Sequence, residues 1–141
     1  PYTVPALEEC LIAGLLCNDA HLEQKDGQWG VVGDPTEGAL IAAARKAGLD
    51  GLQLNQAMPR LDTIPFESEF QFMATLHQLD SQAWGVAHNE GVWSSPLFPT
   101  PYGIYLKGSV ETVLNRCRQM VDAWGNLTPL DRKLIAAEVE R

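Results

Sequence analysis

Apolar residues recur at helical spacing in the first stretch of the chain, where Leu7, Leu11, Ile12, Leu15 and Leu16 share one face. Val4-Pro5-Ala6-Leu7-Glu8-Glu9 supplies a proline and two carboxylates suited to a first turn, so a core-facing helix is predicted from there to near Asn18. The period then falls to two. Residues 21–25 and 28–32 read as strands joined by a tight Asp26-Gly27 turn. Asp34 can cap a second helix, Pro35 fits its first position, and Glu37 stands where a capping-box acid belongs. Ala39, Leu40, Ala43, Ala44 and Ala47 give this helix a small-residue face able to approach a sheet closely, and Gly48 ends it.

Residues 52–58 read as a short helix or irregular turn, after which strands dominate. Residues 61–66, 72–79 and 84–88 have strand character, with Asp80-Ser81-Gln82 as the turn between the last two. Residues 89–101 are rich in glycine, serine and proline and read as a long loop, whose Trp93 and Phe98 either tuck onto the sheet or form a docking surface. A strand at 102–106 precedes a helix at 110–118 capped by Ser109. A short strand at 119–122, a turn at Trp124-Gly125-Asn126 and a last helix opened by Thr128-Pro129 complete the chain. The order implies one α+β domain over residues 1–141, an antiparallel sheet with helices packed on it.

Composition narrows the classes. A chain of 141 residues that is 45% hydrophobic suits one core, and it has neither a bilayer-length apolar run nor a signal-peptide pattern. Its net charge of −8, from 18 acidic and 10 basic residues, argues against nucleic acid and anionic membranes as partners. Cys10, Cys17 and Cys117 form no C-x-x-C pair, so neither disulfides nor a zinc site is expected. His77 and His88 could face one another across a hairpin, but without a carboxylate or thiol nearby they read as surface residues. No metal site is expected.

The candidate chemistry lies in Lys107-Gly108-Ser109-Val110-Glu111, between a strand and a helix. Gly108 removes a side chain, so a flat ring could approach the backbone, and Lys107 adds a cation at a pocket floor. Alone, the pattern also fits an ordinary turn. Two more segments accompany it: Val31-Val32-Gly33-Asp34-Pro35-Thr36-Glu37-Gly38-Ala39-Leu40, and Ile64-Pro65-Phe66-Glu67-Ser68-Glu69 leading into Phe72-Met73-Ala74-Thr75-Leu76-His77. In this order and spacing the three resemble the nucleotide-binding domain of P-type ATPases, the cation-pump family that includes the calcium and sodium/potassium pumps. The bacterial or archaeal calcium-pump-like branch is the nearest in flavour. The resemblance runs from about Leu7 to Arg141.

It implies ATP as the ligand, bound through adenine. Phe66 would stack on the base, Glu37 would accept from its amino edge, Lys107 and Gly108 would line the deep end, and Met73 would line the wall. Residue type alone leaves alternatives: Phe66 and Met73 also fit a core, and Glu37 also fits a capping box, which could not reach the ligand at the same time. Ser109-Val110 replaces the family's Ala-Pro without removing a ligand group. Gln71 stands where many members have lysine; it can bond the base or ribose but brings no charge. Ser68 replaces an arginine of the calcium pumps, and a further phosphate-binding arginine is expected beyond Arg141, so phosphate attraction should be poor. The phosphorylated Asp-Lys-Thr-Gly-Thr motif is absent, so no catalytic residue is expected.

The resemblance thus implies a fragment of a larger membrane pump, truncated at its C-terminal end. It would position ATP for phosphorylation of an aspartate in another domain. Mg2+ would be needed only in the full pump, and the partners would be the phosphorylation and actuator domains. The domain would lie on the cytoplasmic side of the membrane without touching it, and the fragment would be a monomer. Two other classes stay open: a non-catalytic interaction module with no nucleotide dependence, and a small hydrolase. For the latter, no Ser/His/Asp or Cys/His constellation is evident, and Cys10 and Cys17 sit on an apparently buried helix.

Overall fold

The computed structural model of the chain describes residues 4–79 and 101–140. The expected strand at 84–88, the turn before it, His88 and the loop residues 89–100 lie outside the described residues.

Helix α1 (Pro5–Leu16) starts with proline in its first turn and buries Ile12, Leu15 and Leu16. Leu7 is 56% exposed, so the apolar seam begins one turn later than its spacing suggests. Cys10 is exposed on the same helix, whereas Cys17, just past its end, is buried; only one of the two thiols is inside. Strands β1 (His21–Lys25) and β2 (Gln28–Val32) form the expected antiparallel hairpin. Asp26 and Gly27 have φ of 51° and 78°, the left-handed pair that a two-residue hairpin turn requires.

Helix α2 (Pro35–Lys46) is capped by Asp34, whose carboxylate accepts from the amides of Thr36 at 2.8 Å and Glu37 at 3.2 Å. These bonds, with Glu37's amide foremost, hold the Asp34 carboxyl below the usual carboxylate range. The buried positions of α2 are Gly38 and Ala44, while Ala39, Ala43 and Ala47 are exposed. Ala39, Ala43 and Ala47 are therefore not the packing face. The helix rests on α1, where Gly14 lies under Leu40, and on the hairpin, where Gly38 leaves no room for a Cβ beside Val31. Helix α3 (Gly51–Ala57), capped by Asp50, follows and buries Leu54 and Ala57.

The central sheet is antiparallel, in the order β3 (Arg60–Glu67), β4 (Phe72–Gln78), β5 (Tyr102–Gly108). Met73 pairs with Lys107 and Thr75 with Tyr105, which puts these side chains on one face of the sheet. That face meets the core formed by Ile12, Leu15, Leu16, Leu54 and Met58. Helix α4 (Val110–Arg116) is capped by Ser109. Strands β6 (Gln119–Val121) and β7 (Leu127–Pro129) make a small hairpin, and helix α5 (Arg132–Val139) closes the described chain. The architecture is α+β, with antiparallel sheets and packed helices.

Thr128-Pro129 does not open the last helix. The Asp122 carboxylate accepts from the amides of Trp124 and Asn126, closing a turn that returns Thr128 opposite Met120. Asp131 then caps α5 through the Leu134 amide. Sequence alone put the proline in a helical first turn; the Asx-type turn before it wins.

His77 is another correction, since it is fully buried rather than on the surface. Its Nδ1 donates to the Met58 carbonyl at 2.8 Å, because a carbonyl can only accept, and its Nε2 accepts from the Thr75 hydroxyl at 2.9 Å. Tyr105 stands edge-on at 5.6 Å. Burial pushes the His77 pKa below 6.5, against the Met58 hydrogen bond, with the Arg60 charge adding to the fall.

The unfolded chain therefore binds a proton at this histidine just below pH 6.5 while the native chain does not, so stability rises with pH across that window. This contribution is complete above 6.5 and is lost as pH falls towards the native pKa. Urea unfolding should show a lower midpoint at about pH 5.5 than at about pH 7.5. His77→Gln should flatten this difference while costing about 1 to 3 kcal/mol through its two buried hydrogen bonds. An undiminished pH effect in that variant would assign the acid sensitivity to other groups.

Candidate functional site

The site is assembled at the start of α2 and the end of the central sheet. Gly33, at φ 113°, turns the chain out of β2 so closely past Ala20 that a Cβ would lie 3.0 Å from it. Asp34 then caps the helix, and Glu37 is released from capping. Its Oε1 accepts from Lys107 Nζ, and its Oε2 accepts from the Asp19 amide at 3.3 Å. The capping-box alternative is thereby replaced by a long-range ion pair. The two side chains are 17% and 23% exposed.

Lys107 belongs to β5 itself, which runs two residues further than the sequence suggests. Gly108 ends the strand where a Cβ would overlie the Gln71 carbonyl and lie 2.8 Å from the Phe72 Cβ. Glycine is required there by the approach of the β4 backbone, whatever else it serves. Met73 is 1% exposed and belongs to the core, yet its surface also lines the cavity. Phe66 is 56% exposed, which removes the reading of it as a core residue.

A cavity of about 690 Å³ joins these groups. Leu40, Pro65, Phe66 and Met73 form its apolar wall; Glu37 and Lys107, with Asp19, Asp34 and Thr36, form its polar side, beside Gly108. Five of the six candidate residues, Glu37, Phe66, Met73, Lys107 and Gly108, thus share one cavity. Gln71 is not among its lining residues. It has φ 55°, its carbonyl accepts from the Ser109 amide at 3.0 Å, and its side-chain oxygen accepts from the Ser109 hydroxyl at 3.4 Å.

Sequence reasoning missed Asp19, Thr36, Leu40 and Pro65 as lining residues, and it gave Asp34 only its capping role. A polar Asn18-Asp19 step directly after an apolar helix was the available signal. Asn18 is 6% exposed and bridges the elements: its amide donates to the Gly14 carbonyl at 2.9 Å and the Glu37 carbonyl at 3.0 Å.

An apolar wall facing a carboxylate and an ammonium suits a flat heteroaromatic ring with both donor and acceptor edges. The lining holds no serine, cysteine or histidine; its polar side chains are three carboxylates, the Lys107 ammonium and the Thr36 hydroxyl. Among the described residues, no group of three or more His, Cys, Asp or Glu side chains could hold a metal ion, and no helix is long and apolar enough to cross a membrane.

Fold and cavity together define an α+β domain with a ligand-sized cavity between the start of α2 and the end of the central sheet. Residues 6–140 match the family described as P-type ATPase, cytoplasmic domain N, and the chain belongs to that family. It is 46% identical over 136 residues to the cation-transporting ATPase pma1 of Synechocystis sp., covering 96% of this chain and 13% of that protein. It is 38% identical over 135 residues to the probable cation-transporting ATPase F of Mycobacterium bovis, again 96% of this chain and 13% of that protein. Against calcium-transporting ATPase 1 of Lactococcus lactis subsp. lactis it is 34% identical over 110 residues, 78% of this chain and 10% of that protein. The chain thus spans about an eighth of the length of the first two relatives.

Lys107→Met should destabilise the domain by about 1 to 3 kcal/mol, because a largely buried carboxylate loses its charged donor. Adding Glu37→Gln should cost less than the two single changes summed. Urea unfolding of the four proteins measures this coupling, and strict additivity would mean that the pair contributes nothing as a pair.

Proposed function

We propose that this domain holds ATP by its adenine ring and presents it to an aspartate carried by another domain of a cation-transporting P-type ATPase. The observation that carries this reading is the meeting of Glu37 and Lys107, 70 residues apart in sequence, beside the exposed Phe66 ring in a cavity of about 690 Å³. The base would lie on Phe66 and against Met73. A carboxylate has four lone-pair sites, so Glu37 can still accept from an exocyclic amine while bonded to Lys107 and Asp19. Lys107 would donate to a ring nitrogen.

Chemistry would then occur elsewhere, and this chain's contribution would be to bind and orient. Mg2+ would be held with the triphosphate and the aspartate-bearing domain. The natural partners would be the phosphorylation and actuator domains of one pump on the cytoplasmic side of a membrane.

The cavity's charge supports a grip on the base alone. Asp19, Asp34 and Glu37 bring three carboxylates against the single ammonium of Lys107. Such a lining offers phosphates no net attraction. ATP, ADP and AMP should therefore bind with similar affinity, in the millimolar range of about −4 kcal/mol, and with little dependence on salt. Titrations followed by amide chemical shifts test this, and saturable shifts centred on the cavity are the expected result. A tenfold preference for ATP over AMP would reveal a phosphate-binding group, and no binding at all would favour an interaction module.

Phe66→Ala should weaken all three nucleotides by about 1 to 3 kcal/mol, the worth of one stacking face, with little change in melting temperature for a half-exposed ring. Unchanged affinity in the folded variant would remove Phe66 from the site.

A further inference from the structure

Arg60 opens β3 and does not line the cavity, yet it makes more directed polar bonds than a surface arginine needs. Its Nη1 donates to the Asp19 carboxylate at 2.7 Å, while its Nη2 donates to the carbonyls of Leu16 at 2.9 Å and Asn18 at 2.5 Å. Two of these acceptors are backbone oxygens at the exit of α1, where a helix leaves carbonyls without partners and a cation is favoured. The guanidinium therefore clamps residues 16–19. The fork geometry matters, because a lysine ammonium could not span the same acceptors with planar donors.

The clamped segment is the one that holds Glu37. The Asp19 amide donates to Glu37 Oε2, the Asn18 side chain donates to the Glu37 carbonyl, and Asn18 Oδ1 accepts from the Ala20 amide at 2.9 Å. Lys107 engages only the other oxygen, Oε1. With Lys107 alone the carboxylate could swing about that single bond. With the Asp19 amide in place it is held at both oxygens, and its remaining lone pairs point in fixed directions.

We infer that Arg60 is a positioning residue that, through the Asn18-Asp19 segment, orients the Glu37 carboxylate and so sets the site's preference for a 6-amino purine over a 6-keto purine. This inference rests on the proposed adenine-binding role. A carboxylate aimed at position 6 accepts from an amine and repels a keto oxygen; a swinging carboxylate discriminates less.

The test compares AMP with inosine monophosphate, which differ at that position and in a hydrogen on the adjacent N1, in wild type, Arg60→Met and Arg60→Lys, by amide-shift titration. Arg60→Met should lower the AMP preference by about fivefold, chiefly by weakening AMP, and Arg60→Lys should restore part of it. A folded Arg60→Met protein with undiminished preference overturns the inference, since a purely structural role would lower stability and leave selectivity alone. If Arg60→Met does not fold, Arg60→Lys decides on the same criterion. A second readout needs no ligand: hydrogen exchange at the Asp19 amide should accelerate in the Arg60 variants relative to core amides such as Thr75. A wild type that binds neither nucleotide would sink the adenine reading, while unchanged Asp19 exchange would separately sink the clamp.

Discussion

The ion pair between Glu37 and Lys107 is the constraint around which the site is organised. It ties the first turn of α2 to Lys107 near the end of β5, joining that helix to the central sheet through a polar contact. Removing two charges from water is costly, and pairs of this kind seldom add much net stability. What the pair contributes is direction. A carboxylate and an ammonium held side by side present an acceptor and donors to whatever enters the cavity, and the apolar wall of Phe66 and Met73 keeps those groups partly dry.

That arrangement needs a rigid floor, and β4 supplies it through buried polar bonds. His77 reaches the Met58 carbonyl at the end of α3 and accepts from Thr75, while the Cys17 thiol donates to the Met73 carbonyl at 3.5 Å. Burial raises the Cys17 pKa, which keeps that thiol protonated and able to donate. Through Met73 and His77 these bonds tie the strand to the ends of α1 and α3. Met73 and its neighbour across the sheet, Lys107, are consequently fixed relative to the end of α1, from which the chain runs directly to Asp19.

Much of the fold was legible because its signals are local. The Asp26-Gly27 turn, the Asp34 and Ser109 caps and the β3 and β4 runs each depend on a few adjacent residues, and each lies where the sequence put it. The errors share a different cause. The exposure of Leu7, the buried stripe of α2 and the interior place of His77 are decided by what packs opposite, which periodicity does not report. Thr128-Pro129 misled because a helix start and a strand end both tolerate proline. At the site, three motifs supplied Glu37, Phe66 and Lys107, but the bonds between them did not announce themselves. Asp19 and Arg60 lie 41 residues apart and carry no pattern at all.

The distribution of charge gives the arrangement its mechanistic sense. In the proposed function, this domain must hold ATP only until its terminal phosphate reaches an aspartate elsewhere. Strong attraction for the phosphates here would bind substrate and transition state alike, or favour the substrate, and would not speed the transfer. A lining with three carboxylates and one ammonium avoids that trap. On that proposal, grip on the base would leave the triphosphate extended towards solvent and free to be claimed by another domain's cations and metal. Selectivity would then be placed at the ring edge, where the Glu37 carboxylate is held by two donors, and affinity would be left low enough for release. An added cation near the cavity would tighten binding, and by the same argument it would work against the handover that the proposed function requires.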